Sequence, residues 1–299
     1  MLRVARARMS VVERAGPWTV VTCPRSPALG NAAVSDLEQL VALVLAAPKY
    51  RAVCPDTVRR LGGEELAKRP TLKAAVKATK TRLHQAFGAF VRPADHDRIL
   101  AALEAACASG RPDAIRAAAR SALACHASTR ERLPFLDRFH PAIFQLTGTP
   151  RRILDLACGL HPLAIPWMGL PPDATYVAAD IDGRAVQILN RAFSLLRVNG
   201  RADHADILVS PPADPADVAF LLKTLAGLER QRKGSARPLL ESIPAAHLVV
   251  SYPVASLGGA GKGMRANYER EFRTLAEGAP WHIARLDFPA ELVFVIRKP

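Results

Sequence analysis

Two carboxylates and a turn of small residues stand at spacings that could hold a nucleoside. Arg152–Leu156 is a short apolar run carrying Asp155 near its end, as a buried parallel strand would. Ala157–Leu160 follows, small enough for the backbone to turn sharply and approach a ligand. Pro162–Trp167 then begins a helix. Thr175–Ala179 is a second apolar run, and it ends at Asp180. The separation from Gly159 to Asp180 is about the twenty residues between glycine turn and ribose-binding acid in nucleotide-binding βαβ units. A carboxylate there accepts hydrogen bonds from both ribose hydroxyls and opposes a phosphate. The full G-x-G-x-x-G of dinucleotide sites is absent; only Ala157-Cys158-Gly159-Leu160 stands. A pyrophosphate needs several close backbone approaches. S-adenosylmethionine (SAM) has no phosphate and suits the looser turn. A plain strand–turn–helix of any α/β core is the alternative.

The elements that would position these residues alternate strand and helix from residue 151 onward. A helix is expected over roughly Gly183–Leu196. A third strand, Ala202–Ile207, brings Asp206 and Ile207 to where an adenine amino group would sit. Asp217–Leu222 is the fourth strand, with Lys223 just past its end, and Leu225–Gln231 continues as helix or loop. His247–Ser251 is the fifth strand, followed by the Gly-rich loop Ser256–Gly263 with Lys262. Helix Met264–Glu277 and an antiparallel pair, Trp281–Phe288 and Glu291–Arg297, close the chain. Ligands in such sheets sit outside the carboxyl ends of the strands. Ala157, Asp180, Asp206, Lys223 and the loop after Ser251 all converge there.

At 299 residues the chain holds one large domain or two ordinary ones. No run approaches the roughly 18 unbroken apolar residues of a membrane span, and the start lacks a secretory pattern, so a cytoplasmic protein is expected. The five cysteines form no C-x-x-C, which argues against zinc and a disulfide framework, and no metal is expected. Charge is unevenly placed. Residues 1–150 hold 23 Lys and Arg against 12 Asp and Glu, a net +11; residues 151–299 hold 18 against 15, a net +3. A basic half joined to a near-neutral one fits an appended polyanion-binding module. Few aromatics interleave, so phosphate and shape contacts are expected rather than base stacking.

Residues 1–25 read as a poorly ordered basic start and residues 26–125 as helical, in two small groups like a pair of three-helix bundles. Ser35 caps a helix Asp36–Ala47; a second starts at Cys54-Pro55 and is broken by Gly62-Gly63; others run near 94–108 and 112–126. Pro70–Phe90 is the most basic element. Lys73, Lys77 and Lys80 recur at helical spacing with Arg82 beside them, opposite an apolar stripe. This is the candidate RNA-phosphate face, with plain solvation as its alternative. In His126–Pro134, Ser128 and Glu131 have capping-box spacing, and the next helix turns Phe135, Leu136 and Phe139 to the core. Capping leaves Arg130 and Arg132 unexplained; either guanidinium is well shaped for the ligand's methionine carboxylate.

Taken together, the HASTRERLP segment, ILDLACGLHPLAIPW, the acid at Asp180, FLLKTL with ERQ, and VVSYPVASLGGAGKGM resemble the Arm family of aminoglycoside-resistance 16S rRNA methyltransferases. The resemblance covers roughly residues 30–299. It implies a class I SAM-dependent methyltransferase over 126–299: an α/β, Rossmann-like, mostly parallel seven-stranded sheet behind an all-α N-terminal extension that docks on the ribosomal subunit. It implies cofactor contacts from His126, Ala127, Ser128, Thr129, Arg130, Glu131 and Arg132, with Arg132 nearest the methionine carboxylate. Ala157 and Gly159 form the turn, Asp180 meets the ribose, Asp206 and Ile207 surround the adenine, and Leu222 and Gln231 wall the pocket. An aromatic from the Phe87–Phe90 region closes it. Lys223, Lys262 and Arg265 are the target-side positions.

The implied reaction methylates N7 of guanine 1405 in the decoding-site helix of 16S rRNA within the 30S subunit and releases S-adenosylhomocysteine (SAH). It confers resistance to 4,6-disubstituted deoxystreptamines such as kanamycin and gentamicin. Guanine N7 carries an in-plane lone pair and no proton, so no general acid or base is expected; Asp206 and Lys223 are positioning candidates. A monomer without membrane attachment is expected. Alternatives are an adenine-N1 methyltransferase at a neighbouring site, a small-molecule methyltransferase, which would have no use for the basic half, and a non-catalytic RNA-binding or ribosome-assembly protein.

Overall fold

The computed structural model describes residues 31–87, 93–254 and 263–299. Three helices come first: α1 (Asn31–Leu45), α2 (Pro55–Leu66) and α3 (Leu72–Phe87). Their apolar stripes meet in a core of their own, with Leu40 and Val44 of α1 against Val58 and Leu61 of α2 and Ala75 and Leu83 of α3. Two expectations are corrected here. Ser35 lies inside α1 rather than capping it, and Gly62-Gly63 lie inside α2 rather than breaking it. Glycine weakens a helix by about 1 kcal/mol. At Gly62, however, an added Cβ would fall 2.4 Å from Leu40 Cδ2, so its absence lets α1 and α2 approach closely.

Helices α4 (Pro93–Ala108) and α5 (Pro112–Leu123) do not form a second bundle of that kind. Their buried residues Ile99, Leu103, Ala119 and Leu123 share one core with the sheet residues Ile153, Tyr176 and Val218. The helical region thus contains one separate cluster and one pair packed on the sheet layer. A single turn, α6 (Ala127–Arg130), leads through a 3-10 turn into α7 (Leu136–Thr147). Phe135, Leu136 and Phe139 are buried as expected, and Phe135 stacks on Phe288 with ring centroids 5.2 Å apart.

Seven strands form one sheet: β1 (Arg152–Leu156), β2 (Thr175–Asp180), β3 (Asn199–His204), β4 (Ala216–Leu222), β5 (Ala245–Pro253), β6 (His282–Phe288) and β7 (Glu291–Arg297). Their order is β3-β2-β1-β4-β5-β7-β6. The first five are parallel, and β7 enters antiparallel between β5 and β6. Helix α8 (Gly183–Leu195) covers one face; α9 (Leu225–Gln231), α10 (Ala236–Ser242) and α11 (Met264–Ala276) belong to the other layer. Residues 161–167 form a 3-10 segment rather than an α-helix, with Pro162 and Pro166 inside it. The third strand sits three residues earlier than the apolar pattern indicated. Residues 199–204 are polar, and pairing with β2 in register Asp180↔His204 overrides their weak strand propensity. Asp206 therefore lies in a turn beyond β3, not within the strand.

The first three helices dock where the carboxyl ends of these strands emerge. Cys54 N–H donates to the Ile181 carbonyl (2.9 Å), Gly183 N–H to the Ala52 carbonyl (2.8 Å), and Val53 bridges Asp182. Among the described residues no helix is long and apolar enough to cross a membrane.

Candidate cofactor-binding site

The turn after β1 is built from backbone that few residues tolerate. Ala157 has φ 51° and Gly159 φ 54°, both left-handed. For alanine this costs roughly 1–2 kcal/mol. At position 159 a Cβ would also come within 3.0 Å of the His126 ring, so glycine is required twice over. Beneath the turn, Asp155 is a structural acid. Its Oδ2 accepts from the Tyr176 hydroxyl (2.8 Å) and lies 2.7 Å from His161 Nδ1, and the His161 and His140 Nε2 atoms are 3.0 Å apart.

Asp180 ends β2 facing this turn. Its two oxygens accept the Gly159 N–H (2.7 Å) and the Asp182 N–H (2.8 Å). Burial raises its pKa to about 6 despite those two donors, so it is ionised at neutral pH. The turn's amide is thus spent on the acid and not free for a phosphate. His126 Nδ1 is 2.9 Å from the Ser128 hydroxyl. Burial, then the charges of Arg132, Lys223 and Arg130, lower the His126 pKa to about 4, which keeps the ring neutral.

Asp206 is gripped from outside the sheet. Arg60 of α2 donates from Nε (2.9 Å) and Nη2 (2.7 Å) to Asp206 Oδ2, and Leu208 N–H donates to Oδ1 (2.9 Å). The same Nη2 lies 2.8 Å from Gln231 Oε1. Arg82 of α3 reaches the Gln231 carbonyl (2.8 Å) and Glu64 (2.6 Å).

The other end holds buried charges in alternation. Arg132 makes a two-point pair with Glu291 (3.0 and 2.6 Å), and its guanidinium lies 4.4 Å from the Phe139 ring centre. The Ser251 hydroxyl donates to Glu291 at 2.5 Å. Burial pushes the Glu291 carboxyl up, but the Arg132 and Lys223 charges and these hydrogen bonds outweigh it and hold its pKa below the usual value. Lys223, left-handed at φ 59°, points Nζ at Glu131 (2.6 Å) and the Ser128 carbonyl (3.3 Å).

These residues surround a cavity of about 670 Å³, an ordinary volume for a cofactor site. The cavity is lined by His126, Ala127, Ser128, Glu131, Ala157, Asp180, Asp206, Ile207, Leu222, Lys223 and Gln231, all named from sequence. Two acids at one end, an apolar wall and no phosphate cradle among the described residues fit SAM, a phosphate-free cation.

Other sequence candidates lie elsewhere. Thr129 is buried, its hydroxyl on the Leu123 and His126 carbonyls. Gly159 supports Asp180 through its backbone instead of lining the cavity, and Arg130 is exposed. Arg132 pairs with Glu291 and is not among the residues that line the cavity. Ser128 and Glu131 do not form the capping box: His126 is the N-cap, and Glu131 takes Lys223. Lys223 itself is 7% exposed and internally paired rather than open to a target. Arg82 turns to the cavity, away from the lysine face. Arg265 pairs with Asp287 and donates to the Phe288 carbonyl (3.1 Å). Lys73, Lys77 and Lys80 do share a surface groove, with Lys49, Tyr50 and His84. Lys262, Phe90 and the Phe87 side chain lie outside the described residues. Sequence reasoning missed Arg60, which stands 146 residues from its partner and carries no local signal.

Comparison with known proteins agrees with this geometry. The family model for FmrO, a ribosomal RNA methyltransferase, matches residues 46–295. A 16S rRNA (guanine(1405)-N(7))-methyltransferase of Micromonospora echinospora is 41% identical over 265 residues, 88% of this chain and 97% of that one. One of the same name from Serratia marcescens is 39% identical, covering 85% and 96%. The crystal structure of 16S rRNA methyltransferase RmtF in complex with SAH superposes with TM-score 0.77 at 34% identity, covering 91% of this chain and all of that one. That of the 16S rRNA methylase RmtB gives 0.73 at 34%, covering 88% and 98%.

Proposed function

The chain belongs to the FmrO family of ribosomal RNA methyltransferases, and from that premise we propose that it methylates N7 of guanine 1405 in 16S rRNA. The proposal extends to the decoding-site helix within an assembled 30S subunit, to a monomeric enzyme, and to resistance against kanamycin and gentamicin. The observation that carries the reading is the pair Asp180 and Asp206, at neighbouring strand ends on one cavity.

SAM, when bound, supplies an electrophilic methyl group on a sulfonium. The chain's own residues hold and orient it. Asp180 would take the ribose hydroxyls and Asp206 the adenine amino group, and Ile207 and Leu222 line the same cavity. Lys223 would be the cation at the methionine end, with Glu291 shared between it and Arg132. Guanine N7 needs no deprotonation, so a neutral His126 costs the reaction nothing. What the protein contributes is alignment of nucleophile and methyl group. The N7 edge faces the deep, narrow major groove of A-form RNA, so the base must leave the stack. Lys73, Lys77 and Lys80 offer phosphate contacts that carry no base information and suit a folded subunit.

The test uses radiolabelled SAM with drug-sensitive 30S subunits, followed by chemical cleavage at N7-methylguanine and primer extension. A single stop at guanine 1405 is expected. Label in the RNA without that cleavage would favour the adenine-N1 reading or another site. Equal rates on naked 16S rRNA would overturn the subunit as substrate.

A further inference from the structure

The side chain of Arg60 is only 5% exposed, it belongs to the separate helical cluster, and yet it lines the cofactor cavity. We propose that Arg60 is a positioning residue of the cofactor site: it holds the Asp206 carboxylate in the orientation that accepts the adenine amino group, so the α1–α3 cluster completes the pocket. This inference rests on reading the cavity as the SAM site.

Three observations support it. Asp206 follows β3 in a turn, so strand pairing does not fix its side chain; the orientation comes from Arg60 on Oδ2 and the Leu208 N–H on Oδ1. Arg60 also spans to Gln231 Oε1 on α9, tying the two walls of the adenine end together. A planar guanidinium can serve both acceptors at once, whereas an ammonium is a point donor. Finally, Arg60 Nη1 is buried with no acceptor among the described residues. A buried orphaned donor on a guanidinium is costly, and the cavity it lines is where a ligand acceptor would arrive.

The proposed RNA face and the cofactor pocket thereby share one packed cluster. The lysines of α3 and the arginine of α2 sit on helices that share one core. A shift of that cluster on rRNA would therefore move Arg60 against Asp206, and binding linkage is reciprocal.

The experiment is calorimetric titration of the full chain with SAH and with S-inosylhomocysteine, whose 6-oxo group cannot donate to Asp206. The wild type is expected to prefer SAH by about a hundredfold. Arg60→Gln is expected to weaken SAH by about 30-fold, the worth of charged hydrogen bonds, and to cut the preference to roughly tenfold or less. Asp206→Asn should make a further Arg60→Gln change nearly silent. With 30S subunits, KM for SAM should rise by a larger factor than kcat at saturating SAM falls. Should Arg60→Gln fail to fold, as judged by circular dichroism, Arg60→Lys carries the same comparison with its charge intact. An unchanged affinity and unchanged preference in a folded variant overturn the proposal. A wild type that binds neither ligand would instead overturn the reading of the cavity.

Discussion

Positive charge is spent in two opposite ways in this molecule. On α3, Lys73 and Lys77 are exposed, and with Lys80 they make no ion pair among the described residues. Around the cavity, the side chains of Arg60, Arg132 and Lys223 are 5%, 2% and 7% exposed, and each lies on a carboxylate. The first set is left without an acid partner among the described residues, as the proposed phosphate-facing role requires. The second is already paired, so removing one member strands an acid in the interior. Positive side chains thus stand unpaired at these α3 lysines and paired around Glu291 and Asp206.

The sharpest test of that contrast is Arg132→Met. Breaking a buried pair by deleting one partner costs about 3–5 kcal/mol, because the other charge is left uncompensated. Urea unfolding at pH 7 should show a loss of that size. Arg132→Met with Glu291→Met should recover much of it. A loss near that of an ordinary surface change, about 0.5 kcal/mol, would break the comparison. The pH dependence has a definite sign. The Glu291 pKa is lowered on folding, so its contribution is present above its ordinary value of 4.5 and lost as pH falls through the folded one.

The lysines should behave in the opposite way. Lys73→Ala, Lys77→Ala and Lys80→Ala combined should leave urea stability within about 0.5 kcal/mol per site and SAH affinity unchanged. The salt slope of 30S binding should fall by about 2–3, roughly 0.7–0.9 for each phosphate no longer neutralised. Arg82→Ala should not reproduce this, since Arg82 faces Glu64 and the Gln231 carbonyl. A slope that falls for Arg82 and not for the lysines would reverse the assignment of the two sets.

Part of this arrangement was readable from the sequence. The β1 turn, Asp180 and Asp206 are local features: an apolar run, a small-residue break, an acid at a strand end. So were the seven strands, apart from the polar one at 199–204, whose existence depends on β2 beside it. The charge pairs were not readable. Arg132 meets Glu291 across 159 residues and Arg60 meets Asp206 across 146, and an arginine looks the same whether it awaits a carboxylate of the fold or of a ligand. Gly62-Gly63 misled for a related reason. Glycine marks a break by intrinsic propensity, but here a neighbouring helix, through Leu40, supplies the reason for the missing Cβ.

A further test concerns an acid that belongs to neither set, since it pairs with no cation among the described residues. Asp180 accepts two backbone N–H groups, and burial lifts its pKa from 3.8 to about 6. Such a shift corresponds to roughly 3 kcal/mol against the ionised form at pH 7. The sign is opposite to that of Glu291: the folded chain binds this proton more readily than the unfolded one, so Asp180 favours folding more as pH falls from above 6 toward 3.8. Ribose hydroxyls would donate to the ionised carboxylate, so ligand binding must first expel the proton below about pH 6. Calorimetry with SAH between about pH 5 and 8 should therefore show a plateau at the alkaline end and a dissociation constant rising up to tenfold per unit on the acid side. Asp180→Asn should bind more weakly and lose that acid-side dependence; its amide offers one acceptor where the carboxylate offers two, so either the Gly159 or the Asp182 N–H loses its partner. An acid limb that survives the substitution would place the titrating group elsewhere. Its loss would show that the acid without a cation partner is the one held in reserve for the ligand.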